Sequence, residues 1–161
     1  MKTNKWILLI ITFIGLAFIA CSDDDDGTVS DDILGEWTLK SVDIGVLEAS
    51  DIDIKEAAEE VYEEIFGDVY SGEIVEFNEN GKCIFGGDQM RFSTKGSTII
   101  IKDEEGLEMN LSYTIRGEQL TLTLDMKKMI IDTMSGELSK EELNYLKQTL
   151  KKFTINFTCI R

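Results

Sequence analysis

The side chains able to do chemistry in this sequence are chiefly carboxylates and thiols, for it holds 31 Asp and Glu, three Cys and no His. Without imidazole, neither a Ser-His-Asp nor a Cys-His nucleophile can be assembled within the chain, and the commonest zinc ligand is missing. Cys21 stands between an apolar run and four consecutive Asp, Cys83 heads the short apolar stretch Cys83 to Phe85, and Cys159 falls on the alternating apolar set of the last stretch. With Cys21 set apart, the even remainder permits a Cys83–Cys159 disulfide in an oxidising compartment. The alternative is two buried thiols that pack as small apolar groups, and spacing alone does not choose between them. Beyond that Asp run, the densest carboxylates are Glu59, Glu60, Glu63 and Glu64, joined by Glu56 at helical spacing. They read either as a solvated face or as a docking face for a cation or basic partner. No acid stands alone within an apolar strand face, where a raised pKa would serve acid-base catalysis. The sequence therefore predicts a non-enzymatic protein with no cofactor. The turns Asn78 to Gly81 and Asp103 to Gly106 do not fit an EF-hand loop and read as hairpin connections, so no metal site is expected.

Cys21 gains its meaning from what flanks it. Lys2 and Lys5 precede the apolar run Trp6 to Phe18, which ends in the small residue Ala20. This is the layout of a secretory signal peptide, and the run is short of the roughly 18 to 20 residues that span a bilayer. The residues around Cys21 resemble a bacterial lipobox, with Phe18 in place of the usual Leu three positions before the cysteine. The resemblance implies cleavage before Cys21, a diacylglyceryl group on its thiol and an acyl group on its freed amine. Ser22 and Asp23 to Asp26 resemble the surface-export signal of Bacteroidota lipoproteins, which implies an outer-membrane, lipid-anchored and surface-exposed protein. Acyl chains hold such an N-terminus in the membrane at about 0.8 kcal/mol per buried methylene. The expected organisation is thus a signal peptide over residues 1–20, a lipidated acidic tether over 21–32 and a single domain over 33–161.

Charge bounds the partners of that domain. The chain carries 16 bases against 31 acids, a formal charge of −15, and the leader takes two of those bases with it. Nucleic acid is excluded as a natural partner, since its binding rests on cationic neutralisation of phosphates. Basic proteins, divalent cations and neutral ligands fit better. The chain also has no proline, so no cis-proline step enters its folding.

The elements that must carry these residues follow from periodicity. A first strand begins near Gly35-Glu36-Trp37, and its apolar set changes face near Ser41, which suggests a bulge. A helix is expected over Ile54 to Phe66, started by Asp53 with Glu56 and stopped by Gly67. From Glu73 onward, strands recur with turn signals roughly every 8 to 12 residues. Leu107, Met109, Leu111, Tyr113 and Ile115, then Leu120, Leu122 and Leu124, alternate with polar residues as a hairpin buried on one face. Met126 to Met134 shifts to helical spacing. That segment stops at Gly136, and a further helix follows, capped by Ser139 with Glu142, with Leu143, Leu146 and Leu150 as its buried stripe. Phe153, Ile155, Phe157 and Cys159 form the last strand. Asp132-Thr133-Met134 resembles the O-glycosylation acceptor of Bacteroidota, but so short a match reads first as plain helix.

The expected fold is mainly β with helices. It is an antiparallel meander of about eight strands closed into a barrel, with one helix after the first strand and helices before the last. Gly35 to Trp37 at the head of the first strand resembles the lipocalin signature, in which the tryptophan packs across one barrel end. That resemblance implies a lipocalin-like binding module. A barrel of eight strands is either filled by side chains or holds one small ligand. Two readings stay open: a small apolar or amphipathic ligand within the barrel, or a partner docked on the acidic outer face.

Overall fold

The computed structural model describes residues 29–67, 69, 71–85, 87–102 and 108–161. The leader, Cys21, the Asp run, Leu107 and the turn Asp103 to Gly106 lie outside the described residues. A short 3-10 turn, Asp31–Ile33, leads into β1 (Gly35–Ala49) and helix α1 (Ile52–Phe66). Next come β2 (Ile74–Phe77), β3 (Lys82–Phe85), β4 (Asp88–Lys95), β5 (Thr98–Lys102), β6 (Glu108–Arg116) and β7 (Gln119–Asp125). Helices α2 (Met126–Met134) and α3 (Lys140–Thr149) precede the last strand, β8 (Leu150–Ile160). The strands pair antiparallel in chain order and the sheet closes as an eight-stranded barrel. The expected fold class is the observed one. Contacts divide the chain into two compact units. One holds Ile44–Val69 and Asp125–Ile155, with the three helices; the other holds residues 29–43 and 71–124 with Asn156–Arg161.

In the strand unit, period-two alternation decides which side chains fill the barrel. Trp37 and Leu39 of β1, Val75 and Phe77 of β2 and Cys83 of β3 are buried, as are Phe92, Ile99, Ile101 and Leu111 of the next three strands. Leu120, Leu122 and Leu124 of β7 complete one wall, while Ile115 and Tyr113 opposite the first two are half-buried, as is Met109 opposite Ile101. Phe77 meets Phe92 edge to face at 5.0 Å and Phe85 meets Phe157 at 5.6 Å, separations at which aromatic pairs attract beyond their buried area. Glycines set two turns. Gly117 (φ 61°) opens the two-residue loop between Arg116 and Gln119, and positive φ at that first position alone makes a type II′ hairpin. Gly81 (φ 73°) ends a three-residue loop closed by the Asn78 N–H on the Lys82 carbonyl. The Asn80-Gly81 pair therefore turns the chain with one left-handed residue, not two.

The helical unit departs from the sequence reading in its boundaries. α1 starts at Ile52, not Ile54, because Asp51 is its cap and accepts from the Asp53 and Ile54 N–H groups at 2.9 and 3.3 Å. Its buried stripe is Ala57, Ala58 and Val61. α3 carries the expected capping box between Ser139 and Glu142. Its stripe ends sooner than helical spacing implies, since Leu150 is already the first residue of β8, as are Lys151 and Lys152 after it. The expected helix over Met126 to Met134 is observed, and takes in the Asp132-Thr133-Met134 triplet.

Candidate functional site

Two charged surfaces and one apolar crevice are the places where this fold presents chemistry. Glu59, Glu60, Glu63 and Glu64 do share an exposed face of α1, and with Glu56 they line a shallow open groove of about 570 Å³. Helical geometry puts Glu56 over Glu60 and Glu59 over Glu63, so like charges face one another at one-turn spacing. Among the described residues one cation answers them: the Lys55 ammonium lies 3.8 Å from Glu59. Among the described residues no three Cys, Asp or Glu converge as metal ligands.

The helical unit also holds an apolar crevice. Ile54, Ala57, Ala58 and Val61 of α1 face Ile130 and Met134 of α2, with Leu146 of α3 and Leu150 closing it. Its volume of about 30 Å³ is room for one or two waters, and its lining offers no polar side chain to hold one.

Cys83 and Cys159 are both buried free thiols, so the bridge that their even number permits is not formed. Burial pushes both thiols up to about 11. They remain protonated at neutral pH and act as small apolar groups, since the thiolate is the reactive form.

Three polar junctions escaped the sequence reading because their partners are far apart in the chain. The Tyr145 hydroxyl donates to the Asp51 carboxylate at 2.6 Å, which ties α3 to the cap of α1. That hydrogen bond is the first cause of the lowered pKa of Asp51 and of the raised pKa of Tyr145. The Lys127 ammonium donates to the Lys147 and Lys151 carbonyls, both at 3.2 Å, where α3 passes into β8. Arg161 closes the strand unit. Its guanidinium lies 4.1 Å from the centre of the Trp37 ring and donates to the carbonyls of Asp32 and Leu34. The Trp37 indole in turn donates to the Ile33 carbonyl at 2.8 Å. Gly35 lies within this latch at φ 111°, a conformation that suits glycine, and a Cβ there would sit 3.8 Å from the guanidinium. The outer face of β3, β4 and β5 sets Lys82, Arg91 and Lys102 side by side across the strands.

No family model, curated protein or solved structure matches this chain. Among the described residues no helix is long and apolar enough to cross a membrane.

Proposed function

We propose that this chain is a lipid-anchored protein of the cell envelope, whose lipocalin-like barrel is a non-enzymatic module that binds partners at its outer surface. The observation that carries the outer-surface reading is the packing of the interior. Trp37, Cys83, Ile99, Leu120, Leu122 and Cys159 are each 0% exposed. A ligand cavity beside these side chains would leave them accessible to a water-sized probe, so the barrel is filled with protein at their positions. What supports the anchor is the run from Lys2 to Asp26, with the lipobox-like residues before Cys21. The latch of Arg161 over Trp37 supports the lipocalin-like reading, in whose signature the tryptophan packs across one barrel end.

A second reading, a small apolar ligand held by the protein, rests on the wholly apolar crevice of the helical unit. As it stands the crevice is far below the roughly 300 Å³ of an ordinary ligand site, so such a ligand must push its walls apart.

Native mass spectrometry of the full chain, extracted from its host's membranes in a neutral detergent, tests both. The expected mass is that of a chain beginning at Cys21 with covalent diacylglyceryl and acyl groups, and nothing further lost on denaturation. A chain that keeps residues 1–20 overturns the anchor. A reproducible additional mass released on denaturation overturns the outer-surface reading in favour of the apolar ligand.

A further inference from the structure

We propose that the outer face of β3, β4 and β5 docks a linear acidic polysaccharide. The proposal rests on the outer-surface reading above, and does not depend on the lipid anchor. Register places Lys82 directly opposite Arg91, and Arg91 directly opposite Lys102. Their chain neighbours Cys83, Phe92 and Ile101 are buried in the barrel, so all three cations project outward from one row. Directly opposed residues of antiparallel strands lie about 5 Å apart. The row is therefore a straight line of three positive charges at even spacing, perpendicular to the strands.

Such a row works against the fold. Like charges directly opposite one another destabilise a sheet. In a chain with 31 acids and 16 bases, a neutralising neighbour is easily found. Yet among the described residues no carboxylate forms an ion pair with Lys82 or Arg91, and only Lys102 is answered, by Glu108 at 3.4 Å. A local rule left uncompensated at Lys82 and Arg91 among the described residues is what a binding surface looks like.

The surroundings of the row select the kind of polyanion. On the same outward face, Gln89, Ser93 and Thr98 supply neutral hydrogen-bonding groups and Ile84 and Ile100 supply small apolar patches between them, while Glu76 opposite Ile84 and Glu108 opposite Lys102, the latter accepting from Asn110, stand at the two margins. Sugar hydroxyls and the C–H faces of pyranose rings are matched by that mixture, and uronate, sulfate or phosphate groups by the cations. An extended acidic peptide binds a sheet best by adding to an open edge, and this barrel is closed. A membrane surface is the poorer match, because the face lacks the large apolar side chains that enter an acyl boundary. The net charge of −15 does not forbid the contact. At physiological salt the screening length is about 8 Å, longer than the spacing within the row, so the three cations act together while acids elsewhere on the surface are screened from it.

The test is titration of the full chain, in neutral detergent, with size-defined polygalacturonate followed by calorimetry at low and at physiological salt. Binding that weakens with salt is expected. Lys82→Gln, Arg91→Gln and Lys102→Gln combined should weaken it by about ten-fold or more and flatten its salt dependence. The same variant should melt close to the parent, because relieved repulsion in the sheet offsets the lost Lys102–Glu108 pair, an exposed pair of small energy, and this separates lost binding from lost fold. Glu59→Gln with Glu63→Gln should leave the binding intact. Absence of binding by the parent chain overturns the proposal, and so does binding that survives the triple substitution. Equal binding of polyglutamate, or tighter binding of phosphatidylglycerol vesicles, also overturns it by assigning the face to an acidic protein or to a membrane. A failed anchor in the mass measurement leaves this titration unaffected, so the two failures are distinguishable.

Discussion

The Arg161 guanidinium lies 4.1 Å from the centre of the Trp37 ring and donates to two carbonyls near the chain's other described end. Its own backbone N–H donates to the Glu118 carbonyl at 3.0 Å. One exposed residue thus joins the 3-10 turn, the head of β1, the β6–β7 hairpin and the end of β8. A hydrogen bond to a charged group contributes about 1.5–3 kcal/mol and an exposed cation–π contact about 0.5–1. Arg161→Ala should therefore cost about 2 kcal/mol in urea unfolding. Arg161→Lys should recover only part of that, because an ammonium lacks the planar fork that stacks on an indole while reaching two carbonyls. If Arg161→Ala leaves the midpoint unchanged, the latch is not a stabilising contact. The Trp37 half of this arrangement was legible in Gly35-Glu36-Trp37. The Arg161 half was not, since nothing in the local pattern pairs a terminal arginine with a residue 124 positions earlier. Cys159 was legible as inward-facing by alternation and Cys83, in the continuous apolar run Cys83 to Phe85, was not, while the free state of both depends on cross-strand placement that spacing does not contain.

At the scale of elements, α3 and α1 are built by opposite rules. In α3 the Ser139 hydroxyl accepts the Glu142 N–H at 3.3 Å, and the Ser139 N–H donates to the Glu142 carboxylate at 3.0 Å. Those bonds from Ser139, that of its hydroxyl first, hold Glu142 below the usual carboxylate range. Ser139→Ala should cost about 1 kcal/mol at neutral pH. The folded-state pKa of Glu142 is depressed, so its share of that stability is present above the unfolded pKa and lost as pH falls through the folded one. Thermal melts of parent and Ser139→Ala should accordingly differ most at neutral pH and converge in acid; a gap that stays constant refutes the charged half of the box. The capping box was legible because its signal spans four residues. The start of α1 was not: Asp51 and Asp53 are both plausible caps locally, and Asp51 is held by Tyr145, 94 residues away. The end of α3 failed for a similar reason. Leu150 continues a helical stripe, but the chain turns into β8 there, with the Ser50 N–H on the Thr149 carbonyl and Lys127 across the junction.

For the whole molecule, strand count, order and closure were legible because apolar alternation marks β6, β7 and β8 and turn signals separate the strands. The Lys82–Arg91–Lys102 row was hidden because it belongs to register, and one residue of slip changes which side chains are opposed. Closure is also the molecule's main protection, since a closed barrel presents no unpaired strand edge. A chain stopped after Thr149 loses β8, and with it the inward Phe153, Ile155, Phe157 and Cys159. It also frees the edges of β1 and β7, whose Trp37, Leu120 and Leu122 are fully buried in the closed form. The charge of −15 opposes aggregation of such an open sheet only while it is unscreened. The truncated chain should therefore remain dispersed at low salt with a weakened near-ultraviolet circular dichroism signal and no cooperative melt. It should then aggregate, by light scattering, as salt is raised. The full chain should show neither change, because screening there only relieves self-repulsion. A truncated chain that melts cooperatively and stays monomeric at high salt would mean that the remaining strands form a self-sufficient sheet and that β8 is an addition to the core.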